Sequence, residues 1–178
     1  MTAEASISVT LRAIEPEDLD LLYRIENDTE VWGVSATNVP YSRYALHDYI
    51  ASSTGNIYTD QQVRLMLEND ENQVVGIVDL VDFDAKNSRA EIGLIIERCY
   101  RRRGYAVQAL EAIADYALRV LHLHELHAFV SVDNKPTLQL FRKMGYVEST
   151  RVRDWLFDGR SYHDAVIMQI ILTSLPSF

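Results

Sequence analysis

Three consecutive arginines stand out in a chain whose formal net charge is -9. They open the run Arg101-Arg102-Arg103-Gly104-Tyr105-Ala106, set between an apolar strand-like segment and a long helix-like one. The first turn of a helix has backbone N–H groups without internal acceptors, and the helix dipole is positive there. An anion placed at that point collects several hydrogen bonds. Gly104 has no Cβ and lets the backbone approach a ligand closely; Ala106 is small for the same reason. Arginine adds charge and a bidentate fork for phosphate oxygens. The run reads as a phosphate-binding loop, with a solvated basic turn as the competing reading. It is not a nucleotide-triphosphate P-loop, because GxxxxGK[ST] is absent, and without GxGxxG a dinucleotide fingerprint is a weak reading.

Two other groups of reactive side chains carry less. His122, His124 and His127 cluster near a helix-to-strand connection and invite a metal reading. The spacing in His124-Glu125-Leu126-His127 is not HExxH, so ordinary turn residues are expected and no metal is assigned. Cys99 is the only cysteine, which rules out an intrachain disulfide and a cysteine-rich metal site.

The elements that must hold the loop are legible from periodicity. Ile7, Val9 and Leu11 alternate with polar residues and predict a first strand. Pro16, followed by Glu17 and Asp18, marks a helix start, with Leu19, Leu22 and Tyr23 on its apolar face. Ser42 is placed to cap a second helix whose face is Leu46, Tyr49 and Ile50. Val63, Leu65 and Leu67 alternate with Arg64, Met66 and Glu68 as a strand. A turn at Asn69-Asp70-Glu71-Asn72 leads into a strand from Gln73 to Phe83, and a turn from Asp84 to Ser88 into a third, Arg89 to Ile96. The long helix runs from about Gly104 to Leu121, with Ala106, Leu110, Ile113, Ala117 and Leu121 at helical spacing. Leu126 to Val132 is a strand, and Asn134 to Met144 a short helix ended by Gly145. Val147 to Phe157 and His163 to Leu172 are late strands, turned at Asp158-Gly159. This order implies a mixed α/β (α+β) domain around one central sheet.

Bulk properties agree. The 178 residues, 48% hydrophobic and 24% charged, suit one soluble globular domain spanning 1–178. An acidic chain repels nucleic-acid phosphates and mildly favours a cationic partner, though solubility is the plainer consequence. The start, Met1 to Thr10, does not read as a signal peptide, and no apolar run is long enough for a bilayer. A cytoplasmic location without nucleic-acid or membrane partners is the expectation; association into a homo-oligomer is left open.

Glu91-Ile92-Gly93-Leu94-Ile95-Ile96, followed by Tyr100 to Ala106, resembles the core motif of the GNAT acetyltransferase superfamily. The family pattern Gln/Arg-x-x-Gly-x-Gly/Ala falls on Arg101, Gly104 and Ala106. Asn134 with Leu140-Phe141-Arg142-Lys143-Met144-Gly145-Tyr146 is similar to the second cofactor motif, an Asn followed by a helix ending in Leu-Gly-Phe. The resemblance covers roughly Leu11 to Leu172. Within the superfamily the chain looks most like the branch containing spermidine N-acetyltransferases and the enzymes that acetylate ribosomal-protein N-termini, into which Phe157-Asp158-Gly159-Arg160-Ser161-Tyr162-His163-Asp164 also fits.

The resemblance implies a GNAT-like fold, a central mixed and mostly antiparallel sheet flanked by helices. It implies an acyltransferase that moves acetyl directly from acetyl-CoA to a primary amine, with no metal. The acceptor would be a small amine, a polyamine or a basic peptide N-terminus. By the same resemblance Arg101, Arg102, Arg103, Gly104, Tyr105, Ala106 and Val107 would cradle the pyrophosphate of coenzyme A. Leu94, Ile95 and Ile96 would hold the pantetheine arm through backbone groups, in a splay between their strand and the one ending near Val132. Asn134 would add a hydrogen bond to that arm.

An amine of pKa about 10 is mostly protonated at neutral pH, so a base is required. The resemblance makes Glu91 the first candidate, directly or through water; an ion pair with Arg89 is the structural alternative. Asp82 is the second, as base or as the group that attracts a cationic substrate, while Asp79, Asp82 and Asp84 also fit the solvated side of a strand. Spermidine-acetylating enzymes carry a tyrosine general acid where this chain has Phe141, and phenylalanine has no proton to give. No catalytic acid is assigned, and Phe141 packs against the cofactor or in the core. Those enzymes also carry acidic residues before a Pro-Tyr pair; Ala36-Thr37-Asn38-Val39-Pro40-Tyr41 has none, which weakens the polyamine reading. The alternative is a coenzyme A-binding module of the same fold with reduced catalysis.

Overall fold

The alternating and helical stripes demand partners on two faces, and the protein supplies both from one sheet. In the computed structural model, which describes residues 7–28 and 39–172, seven strands pair in the order β1-β2-β3-β4-β5-β7-β6. They are β1 (Thr10–Ala13), β2 (Val63–Glu68), β3 (Val74–Asp84), β4 (Arg89–Ile96), β5 (Glu125–Ser131), β6 (Val147–Phe157) and β7 (Tyr162–Ile171). Every pairing is antiparallel except β4 with β5. That one parallel contact follows from the crossover helix between them, since parallel neighbours need a long connection.

Helices α4 (Tyr105–Arg119) and α5 (Lys135–Lys143) cover one face. Leu65, Val78, Leu80, Ile92, Leu126 and Met168 meet Leu110, Ile113 and Ala117 of α4 and Leu138 and Phe141 of α5 there. The other face carries α1 (Leu19–Glu26), entered by a 3-10 turn at Pro16–Asp18, and α2 (Arg43–Ser52), with Leu22, Ile25 and Leu46 over Met66 and Ile77. Covering this second face explains why Met66, an expected outward position, is fully buried.

Ser42 caps α2 as its type suggests, its side chain accepting from the Ala45 N–H at 3.0 Å. The one-turn α3 (Ile57–Asp60), capped by Asn56, has no counterpart in the periodicity, because four residues are too few to show a stripe. The described residues hold no helix long and apolar enough to cross a membrane.

Candidate active site

The parallel ladder between β4 and β5 is short. It joins Arg89 to Glu125, Ala90 to Leu126 and Glu91 to His127, and goes no further. β4 then runs on to Ile96 and β5 to Ser131, each held only by its antiparallel neighbour on the outer side. The strands therefore part directly after Glu91, leaving the inner backbone edge of Gly93 to Ile96 without a strand partner. A crevice at the carboxyl ends of parallel strands is where open α/β sheets bind ligands. The expected splay is present, with Leu94, Ile95 and Ile96 on its wall.

The side chains at its apex are polar. Glu91 is half-buried and forms no hydrogen bond or ion pair among the described residues. Burial pushes its carboxyl above the ordinary value, and the negative charge of Asp82 pushes it further. Asp82 sits in the left-handed region (φ 49°) at the irregularity where β3 departs from β4 between Val81 and Asp84. This exposed carboxylate stands near enough for its charge to act on Glu91, at an irregularity of the kind that commonly occurs beside sites. Arg89 does not pair with Glu91; its guanidinium lies 3.2 Å from Asp84. Asp79 is not on a solvated side either. It takes a bidentate bond from Arg64 (2.7 Å from each oxygen), which also binds Glu26, all half-buried beneath α1 and α2. The solvated-strand reading thus fails for Asp79, because helices cover that face.

At the far end of β4 the arginine loop enters α4. Arg102 (φ 60°) and Gly104 (φ 92°) are both left-handed, so the backbone curls around one point. The N–H groups of Arg102, Arg103, Gly104, Tyr105 and Ala106 have no hydrogen-bond acceptor among the described residues. The first intrahelical bonds run from Val107 and Gln108 to the Gly104 carbonyl. This concavity of donors at the positive end of a helix of 15 residues fits a diphosphate. Arg101 is partly committed elsewhere: its Nε donates to the Ile96 carbonyl at 3.0 Å and fastens the end of β4 to the loop. Arg102 and Arg103 are exposed, and Arg103 lies over the Tyr100 ring, 5.7 Å from its centroid. Tyr105 meets Tyr100 edge-on; Ala106 and Val107 tuck against the core.

Asn134 caps α5, its Oδ1 accepting from the Thr137 N–H at 3.2 Å, which leaves its amide N–H₂ free among the described residues. Phe141 is buried and packs edge-on against Tyr146, 4.7 Å between centroids. The histidines are not brought together: His122 and His124 are exposed, while His127 is half-buried and is the register partner of Glu91. The described residues form no cluster of three metal-ligating side chains. Ala36, Thr37 and Asn38 lie outside the described residues. Gly76 also belongs to the site, although no motif contains it: a Cβ there would lie 2.2 Å from the Ile95 carbonyl oxygen. An isolated glycine inside an apolar strand was the available signal.

A seven-stranded sheet splayed at its one parallel pair, with a basic loop opening a helix at the splay, defines an acyl-CoA-binding transferase. Residues 8–147 match the family profile described as "Acetyltransferase (GNAT) domain". The chain belongs to that family and is an acetyl-CoA-dependent N-acetyltransferase. It is 30% identical over 165 residues to the spermidine N(1)-acetyltransferase of Escherichia coli (strain K12), covering 92% of this chain and 86% of that protein. It is 21% identical over 175 residues to the ribosomal-protein-serine acetyltransferase of the same strain, covering 97% and 98%. The solved spermidine N-acetyltransferase of Vibrio cholerae in complex with CoA and spermine superposes with a TM-score of 0.83 at 25% identity, over 93% of this chain and 96% of that one. Relatives named for transfer do not favour the binding-module reading.

Proposed function

We propose that the acceptor is a small cationic primary amine, polyamines included, deprotonated by Glu91 at the apex of the splay. The carrying observation is the position of Glu91, the last residue of β4 paired with β5, with its carboxylate unpartnered and Asp82 beside it. Bound acetyl-CoA supplies a thioester carbonyl to the crevice. Arg102, Arg103 and the free N–H groups through Ala106 hold its diphosphate, and Arg101 sets the loop against Ile96. The unpaired edge of Gly93 to Ile96 orients the arm with the free amide of Asn134, and backbone donors there stabilise charge on the carbonyl oxygen. Phe141 packs beneath the arm and transfers no proton.

Asp82 and Glu91 attract the ammonium, and Glu91 takes its proton directly or through one water. Its raised pKa serves this task, since a general base works best when its pKa approaches the operating pH. Small cations suit this acidic apex, and the E. coli and V. cholerae relatives are named for spermidine. The stretch 36–41 carries no carboxylate, so a polyamine would be held here by the apex rather than by that segment.

The test is turnover of acetyl-CoA, read as thiol release, against spermidine, spermine, simple monoamines and basic peptides with free N-termini. Fastest turnover with small cations supports the proposal; preference for peptides overturns the acceptor class. Glu91→Gln should retain acetyl-CoA affinity and lose about 10²–10⁴-fold in turnover at neutral pH. The loss should shrink as pH rises and more amine arrives neutral. Near wild-type turnover at neutral pH in this variant would remove Glu91 from the reaction. Asp82→Asn should instead raise the amine KM.

A further inference from the structure

His127 has a place in the same chemistry. It is the register partner of Glu91 in the last parallel pair before the strands part. The neighbouring residues Ile92 and Leu126 both face the α4–α5 core, so Glu91 and His127 project together from the opposite face. Adjacent strands are roughly 4.8 Å apart, so the side chains of register partners stand side by side. His127 Nδ1 is buried with no hydrogen-bond partner, and Glu125 Oε1 lies 3.5 Å from it without forming one. Nε2 has no protein partner among the described residues and is not sealed off, so it keeps access to solvent. A carboxylate beside Nδ1 favours the tautomer with Nδ1–H, which leaves the Nε2 lone pair free to accept.

Glu91 needs an outlet. Half-buried at the closed end of the splay, it must give up each proton it gains before the next amine arrives. We propose that His127 is that outlet, a positioning residue that works through Glu91 by receiving its proton across one water and passing it to solvent. In the first step an N–H bond of the acceptor breaks and its proton joins the Glu91 carboxylate. That O–H bond then breaks as water carries the proton to Nε2, and the neutral ring becomes imidazolium. Nδ1–H closes on Glu125, which stabilises the cation, and release from Nε2 to solvent restores both groups.

The surrounding charges fit a ring that rests neutral. Burial lowers the affinity of His127 for a proton; Glu125 on its own strand opposes this, Arg89 on β4 reinforces it, and Asp82 from β3 opposes it. Across the parallel ladder the register partner of His127 is Glu91, and on β7 it is Gln169, which does not titrate. The imidazole is therefore available at neutral pH and becomes blocked only below its ordinary value of about 6.5.

The inference rests on Glu91 as the base, and the experiment separates the two. Turnover is measured from about pH 5.5 to 9 with the fastest amine of the panel, for His127→Ala, His127→Phe, Glu91→Gln and the Glu91→Gln/His127→Ala double variant. His127→Gln serves as a further variant should either replacement lower the yield of folded protein. His127→Ala should lose about tenfold or more in kcat at neutral pH, with KM for acetyl-CoA unchanged. Added imidazole should restore turnover to His127→Ala and not to His127→Phe, where the ring fills the space. The acidic fall of the wild-type profile should change shape in both. In the Glu91→Gln background the loss of His127 should cost nothing more, because residues acting as a unit are non-additive. Wild-type kcat in the His127 variants, an unchanged pH profile without rescue, or additive losses would each overturn the relay while leaving Glu91 in place. Wild-type turnover in Glu91→Gln would overturn both.

Discussion

Gly76 offers a direct test of how the splay is held. It lies in β3 opposite Ile96, the last residue of β4. A Cβ there would sit 2.2 Å from the Ile95 carbonyl oxygen and 3.1 Å from both Cα and Cδ1 of Ile96. Ordinary carbon–oxygen contacts begin near about 3.3 Å, so Gly76→Ala demands a strand displacement of roughly 1 Å. The obstructing atom is backbone and cannot rotate aside. A displacement of about that size would stretch the Glu97 N–H to Val75 carbonyl bond, 2.9 Å in the native protein, past hydrogen-bonding distance. Overpacking of this kind costs about 1–3 kcal/mol. At about 2–4 °C per kcal/mol for a chain of this size, Tm should fall by roughly 2–12 °C. Gly93, in the adjacent strand, is the control. Its added Cβ would meet only the Asp79 Cβ at 3.7 Å, an ordinary contact, and its φ is not in the left-handed region. Gly93→Ala should leave Tm within about 2 °C, since the smaller entropy of the unfolded chain offsets small losses. Thermal melts of the three proteins, with acetyl-CoA KM measured on each, decide the matter. Gly76→Ala should also raise that KM, because the displaced strand is the wall of the crevice. Equal Tm values for Gly76→Ala and Gly93→Ala would refute the close approach of β3 to β4.

Further outcomes follow from the same geometry. Gly104→Asp should sharply weaken acetyl-CoA binding by calorimetry, since it places a negative charge and a side chain at φ 92° inside the ring of N–H donors; unchanged affinity in folded protein would displace the diphosphate from this loop. Asn134→Ala should lose about 1 kcal/mol as the cap of α5, and raise the acetyl-CoA KM if its free amide binds the arm. A stability loss with unaltered kinetics would leave it a cap only. His163 bridges Asp158 (2.8 Å) and Asp133 (3.0 Å), tying the β6–β7 turn to the loop before α5. Its hydrogen bonds to Asp158 and then Asp133 raise its pKa. The stabilisation is therefore full below the unfolded value of about 6.5 and is lost as pH rises through the higher folded value. The Tm gap between wild type and His163→Gln should be widest near pH 6 and close at alkaline pH; a gap independent of pH would show that the charge contributes nothing.

The sequence by itself determined the order of the major elements, because alternation and helical spacing are local properties of the chain. β4 and β6 run over the residues expected, and Ser42, Asn134 and Gly145 stop or start helices as their types dictate. The arginine loop was legible for the same reason: charge, glycine and the helix start are consecutive. The tertiary structure decided what lies between distant segments. No local pattern says that the parallel ladder ends at Glu91, that Asp79 is taken by Arg64 and not by solvent, or that Arg89 turns to Asp84. Nor does one distinguish His127 from His122 and His124, which differ in exposure because β5 carries the first, half-buried, on the sheet face opposite α4 and α5 while a turn leaves the others outside. Such pairings depend on strand register and on which helix covers which face. Both are set by packing over the whole core, which no short window of residues contains.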